Sequence, residues 1–144
     1  SAASLTQRLG LVDQISAAET VTVLNDLCLM APGALLDPRL TWTEAHDRAA
    51  RVTFANGPHQ VSATLEFNDD DELTGFWSDD RPDSSSGKFV PMRWSTPITE
   101  HCDVDGMHLL HRGGAVYERP DGPFMYGDFT LSSIQFDVEG PTPA

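Results

Sequence analysis

The feature that most constrains this chain is a change of hydrophobic period near residue 48. In the clearest stretch, 60–67, Val61, Ala63, Leu65 and Phe67 alternate with Gln60, Ser62, Thr64 and Glu66. Side chains on a strand point to opposite faces in turn, so this pattern gives one buried and one wet face, the mark of an antiparallel sheet. Ala50, Val52 and Phe54 alternate with Arg51 and Thr53 in the same way, up to Asn56-Gly57-Pro58. Further strands are predicted at 73–79, 88–94, 97–103, 107–112, 114–119 and 124–138, separated by Gly, Pro, Asp and Ser. Asp105-Gly106 and Asp121-Gly122 are hairpin dipeptides, and Gly113-Gly114 reads as a turn or bulge. The run Asn68-Asp69-Asp70-Asp71-Glu72 lacks the spacing of a calcium loop and reads as a solvated hairpin turn. The polar stretch 82–87 reads as the most mobile tip.

Before residue 48 the period is helical. Val21, Leu24, Leu27 and Cys28, then Met30, recur at near-helical spacing, and Ser16 with Glu19 has capping-box spacing, so a helix is predicted over 17–30. Pro32-Gly33 ends it, with Ala34-Leu35-Leu36 able to add a turn, while residues 4–12 lean to strand. The expectation is a mainly β (α+β) domain over residues 1–144. It is a curved antiparallel meander or half-barrel of about 7–9 strands, with one main N-terminal helix (about 17–30) packed on it. Such a shape makes a cup suited to an apolar ligand.

Charge and motif narrow the function. Nine basic residues against 22 acidic give a net charge of −13, with no basic stripe for nucleic acid or an anionic membrane surface. No run of 18 apolar residues or leader pattern is present. The start at Ser1-Ala2-Ala3 fits a processed chain or the C-terminal part of a longer one. Cys28 and Cys102 form no CxxC; they are read as buried thiols, with a disulfide left open. Gly-x-Ser-x-Gly, GxGxxG and P-loop motifs are absent. His108 and His111 are three apart and so diverge on a strand, His101 faces away from Cys102, and the sequence predicts no second histidine beside the Glu44-Ala45-His46-Asp47 cluster, so no metal and no cofactor is expected.

The most suggestive cluster is Ser78-Asp79-Asp80-Arg81 with Met92-Arg93-Trp94-Ser95-Thr96-Pro97. Its plain reading is a bidentate carboxylate–arginine pair fixing a strand end, with Trp42, Trp77 and Trp94 as core aromatics. Its functional reading is a rim where Arg81 or Arg93 grips an anionic head group and Trp94 covers the tail. The candidate ligand-binding residues are therefore Trp42, Trp77, Asp80, Arg81, Arg93, Trp94 and Tyr126, with no catalytic residue assigned. Three functions follow: a module binding a lipid-like small molecule, an interaction domain completing a larger sheet through an edge near residues 1–15, and a hydrolase-like enzyme using Asp79 or Asp80, with His101 or His111 beside it.

Several segments in order resemble the hallmarks of a family of mostly bacterial proteins classed as a domain of unknown function. They are the run from Thr20 to Asp37, LTWTEAHD around Trp42, SATLEFNDDDELTGFWSDDR over 62–81, RWSTPI over 93–98, VDGMHL over 104–109 and PDGPFMYGDFTLSSIQFD over 120–137. The resemblance implies a preceding region in longer members and an architecture similar to the half-barrel of LolA-type lipoprotein carriers; it implies no activity. Pro82 stands where an aromatic commonly follows the SDDR arginine, and His108 and His111 are unusual for the pattern.

Overall fold

The computed structural model describes residues 2–137, and the side chains of 12–43 and 46–137. Helix α1 (Ala2–Met30) leads through a 3₁₀ turn (Pro32–Leu36) into seven strands. These are β1 (Leu40–His46), β2 (Ala49–Asn56), β3 (His59–Phe67), β4 (Leu73–Ser78), β5 (Trp94–Val104), β6 (Met107–Arg119) and β7 (Gly122–Thr130). They form one open antiparallel sheet in sequence order, with β1 and β7 at its edges. The expected meander and its single helix are both present.

The alternation read from the sequence places the core. Val52 and Phe54 of β2, Val61, Ala63 and Leu65 of β3, and Phe76 of β4 are all at most 2% exposed. They pack with Trp94 and Ile98 of β5 and Leu110 and Tyr117 of β6. Phe76 meets Trp94 edge to face, with ring centroids 6.1 Å apart. Ala18, Val21, Leu24, Cys28 and Leu29 turn one face of α1 onto this surface, chiefly against β3. Burying each of Phe54 and Phe76 contributes about 1.5–3 kcal/mol. The helix thus covers the middle of the sheet, chiefly over β3.

Local boundaries differ where polar residues misled the pattern. Residues 4–12 are helical rather than extended, and α1 does not start at a Ser16–Glu19 capping box. Ser16 lies inside the helix, its Oγ donating to the Val12 carbonyl at 2.9 Å, the back-bond a serine makes within a helix. The 34–36 segment does add a turn, and Trp42 lies on an additional edge strand, β1. Residues 88–93 form no named strand; only the Asp83–Val90 bridge forms there. Gly113-Gly114 makes no turn, since β6 runs through it, but the β5–β6 register shifts there, between Ile98 opposite Gly113 and Glu100 opposite Arg112, as an expected bulge would. A Cβ at Gly113 would lie 2.9 Å from both the Phe129 ring and the Pro97 carbonyl oxygen. β7 ends at Thr130, short of the expected 138.

The turns behave as their chemistry requires. Asp105 (φ 50°) and Gly106 (φ 80°) link β5 to β6 through the left-handed conformation of a tight hairpin. Asn68 organises the acidic turn: its Oδ1 accepts from the amides of Asp70 (3.0 Å) and Glu72 (2.9 Å). Arg48 ties the turn down through the Asn68 carbonyl (2.7 Å) and Asp69 (2.8 Å). The 82–87 segment is pinned by Asp83, which is 7% exposed and accepts from Arg119 Nη2 at 2.9 Å.

Candidate functional site

The seven residues singled out in the sequence divide among four places. Arg81, Trp94 and Tyr126 come together. The Arg81 guanidinium lies 4.8 Å from the Trp94 ring, Trp94 Nε1 donates to the Tyr126 hydroxyl at 2.8 Å, and Tyr126 stacks on Tyr117. Arg81 Nε donates to Thr22 Oγ1 of α1 at 3.2 Å and its Nη1 donates to the Tyr117 hydroxyl. The group clasps helix to sheet beside a small open depression of about 260 Å³.

Trp77 and Arg93 lie on the sheet face away from α1. Arg93 caps the Trp77 ring at 3.7 Å and binds Asp79 bidentately at 2.9 and 3.0 Å. The carboxylate–arginine pair expected at this strand end is therefore present, formed by Arg93. It holds the Asp79 carboxyl below, and the Arg93 guanidinium above, their usual ranges. Asp80 Oδ2 accepts from the Ser62 amide at 2.7 Å, and Trp42, on β1, donates to the Leu35 carbonyl at 3.3 Å. Asp79 and Asp80 are thus both engaged in binding the sheet together.

A mainly apolar concavity of about 390 Å³ opens at the other end of the helix–sheet interface, where α1 and the 3₁₀ turn overhang the β3–β4 and β5–β6 hairpins. Its walls are apolar: Cys28, Leu29 and Leu35 on one side, and Leu65, Ile98 and Leu110 on the other. Burial pushes the Cys28 thiol up to about 12, so at neutral pH it is one more apolar wall atom. Neither cysteine is in a disulfide; Cys28 is buried and Cys102 half-buried.

The polar groups of the cleft converge at its mouth, where Glu72, His101 and His108 each bring one donor atom within 4.8 Å of the others. The tight Asp105-Gly106 turn pairs Asp103 with His108 and His101 with Leu110, which puts His101 and His108 diagonally on one face. Their rings stack 5.1 Å apart. Glu72 arrives from the acidic turn before β4. His101 Nε2 donates to the Leu73 carbonyl at 2.8 Å. His108 Nδ1 meets Asp103 Oδ1 at 2.7 Å and its Nε2 meets Glu72 Oε1 at 2.8 Å. Two carboxylate partners, Asp103 first and Glu72 second, raise the affinity of His108 for its proton. Asn68 first, then His108, lowers the Glu72 carboxyl.

Of this cluster the sequence points only to His101, and that as a neighbour of Asp79 or Asp80 in the hydrolase reading; Glu72 and His108 are not among the candidates. Alternation within one strand separates His108 from His111 and His101 from Cys102, but it says nothing of the diagonal across a hairpin. The Asp105-Gly106 turn carried that signal, because a two-residue turn sets the register.

Among the described residues no helix is long and apolar enough to cross a membrane. The sequence model of DUF6544, a family of unknown function, matches residues 7–129. No curated protein and no solved structure matches the chain.

Proposed function

Since the chain belongs to DUF6544, a family of unknown function, its own geometry must carry the reading, and we propose that it is a binding module for a lipid-like small molecule. The observation that carries this is the 390 Å³ cleft, apolar in its walls and polar at one mouth. Small-molecule sites are typically concave, mostly apolar and furnished with a few convergent polar groups, within roughly 300–1,000 Å³. The occupant's chain would lie between Leu29, Leu35 and Leu110, with its polar end at His101 and His108. Ligand roles for Arg81, Trp94 and Tyr126 have less support, because Arg81 already bonds Thr22 and Tyr117.

Titration with a fluorescent fatty acid tests the reading. Saturable binding is expected, weakened at least ~10-fold by Leu35→Asp, since a charge on an apolar wall must be desolvated. Met125→Asp, on exposed β7, should leave binding unchanged. Equal effects of both variants would reveal surface adhesion and defeat the proposal.

One observation favours a second reading, an interaction domain. β7 is an open edge strand bearing exposed Phe124, Met125, Tyr126 and Phe129, and such an edge can pair with an added strand. Residues 2–15, near which such an edge was expected, lie in α1, and the sheet's two edges are β1 and β7. A backbone-blocking Met125→Pro that left partner association unchanged would eliminate it. The hydrolase alternative draws no comparable support, with Asp79 paired to Arg93 and Asp80 bound to the Ser62 amide.

A further inference from the structure

We propose that Glu72, His101 and His108 form a binding site for one divalent transition-metal ion of the zinc class at the mouth of the cleft. Three donor atoms within 4.8 Å of one another come from two hairpins that the sheet fixes side by side. Zinc bonds to nitrogen and carboxylate oxygen measure about 2.0–2.2 Å, so the ion must draw the donors closer. The side chains of Glu72 and His108 are 33% and 45% exposed, which leaves them room to rotate inward.

The outer partners set this cluster apart from an ordinary patch of charged residues. A metal-binding histidine almost always gives its other ring N–H to a carboxylate or backbone carbonyl, fixing tautomer and ring orientation. Both arrangements occur here. The Leu73 carbonyl can only accept, so it fixes the proton on His101 Nε2 and leaves the Nδ1 lone pair free. Asp103 accepts from His108 Nδ1, which turns Nε2 towards Glu72. Glu72 is oriented likewise: Asn68 Nδ2 donates to its Oε2 at 2.7 Å, leaving Oε1 for the cluster. Each donor is thus held by a different group outside the triad.

The ligand set also states which ion fits. Two imidazoles with one carboxylate suit zinc and its neighbours, whereas calcium and magnesium prefer all-oxygen surroundings. The ion takes the place of the hydrogen between His108 Nε2 and Glu72 Oε1. Three protein ligands leave at least one coordination position, and the triad lines the cleft, so water or a donor atom of the cleft's occupant can fill it.

Calorimetric titration of chelator-treated protein with zinc chloride tests the site without any apolar ligand, so its outcome is independent of the cleft reading. One ion should bind per chain. His101→Ala, His108→Ala and Glu72→Gln should each weaken binding at least ~10-fold, and Asp103→Asn, which touches only the outer partner, by roughly 10–100-fold. Cobalt chloride should give the intense visible bands of a tetrahedral site in wild type and lose them in His108→Ala. Absence of stoichiometric zinc binding would overturn the proposal. So would binding that survives unchanged in Glu72→Gln and in the His101→Ala/His108→Ala pair. Far-UV circular dichroism checks folding, and the lightest change, Glu72→Gln, decides alone if the histidine pair unfolds.

Discussion

Replacing Arg81 by methionine tests whether this residue serves the fold or a ligand. The side chain joins three elements: it donates to Thr22 of α1 at 3.2 Å and to Tyr117 of β6, and lies 4.8 Å from the Trp94 ring of β5. Hydrogen bonds to a charged donor contribute about 1.5–3 kcal/mol, and a partly desolvated cation–π contact about 0.5–2 kcal/mol. Against this, removing Arg81 relieves the cost of half-burying a charge. It also leaves neither partner unsatisfied, since Thr22 still donates to the Ala18 carbonyl and Tyr117 to the Pro82 carbonyl. The expected net loss is therefore about 2–3 kcal/mol. At roughly 3 °C per kcal/mol for a chain of this size, Tm should fall by about 6–9 °C. Urea unfolding followed by tryptophan fluorescence measures it, and a double-mutant cycle with Tyr117→Phe should return a coupling of about 1 kcal/mol. A variant within about 0.5 kcal/mol of wild type, with no coupling, would refute the clasp and return Arg81 to candidacy as an anion ligand.

The remaining predictions concern other parts of the molecule. Ellman's reagent should react readily with Cys102 in the native protein and with both thiols only after denaturation, because Cys28 is 5% exposed and its thiol lies near 12; two fast thiols would contradict the described wall. Asp83 is held below the usual carboxylate range, first by the Ser85 amide, then by the Ser85 hydroxyl and Arg119. Its contribution to stability is fully present above about pH 4, the unfolded value, and disappears as pH falls through the lower folded one. The gap in Tm between wild type and Asp83→Asn should accordingly shrink from pH 7 to pH 2, and a constant gap would count against the assignment. Gly113→Ala should destabilise by about 1–3 kcal/mol through its backbone clash with Pro97, whereas Gly114→Ala meets chiefly the flexible end of Met125 and should cost less. Equal losses in thermal denaturation would contradict that distinction.

How much of this was legible in the sequence depended on whether burial or pairing set the answer. One-sided alternation in 50–54 and 60–67 marked β2 and β3 and their core faces, because a half-buried sheet leaves no other pattern. Edge strand β1 carries Thr41, Trp42 and Thr43, all exposed, and so offered no alternation to read. Ser16 imitated a helix cap because its hydroxyl can bond either a free amide or the carbonyl four residues back. In the cluster at the cleft mouth, His101 and His108 followed from the register of one turn, but Glu72 comes from a different hairpin, and only the assembled sheet brings it near. The position of the cleft at one end of the helix–sheet interface, beside Cys28, Leu29 and Leu35, depends on how α1 docks on the sheet, which alternation along single strands does not encode.

Amide NMR chemical-shift mapping during titration with a medium-chain fatty acid tests the central claim most directly. The account predicts saturable shifts confined to the cleft, at Leu29, Leu35, Leu65, Leu73, Leu109 and Leu110, with His101 and His108 moving at its mouth. Shifts spread along β7, or none at all at saturating ligand, would contradict it.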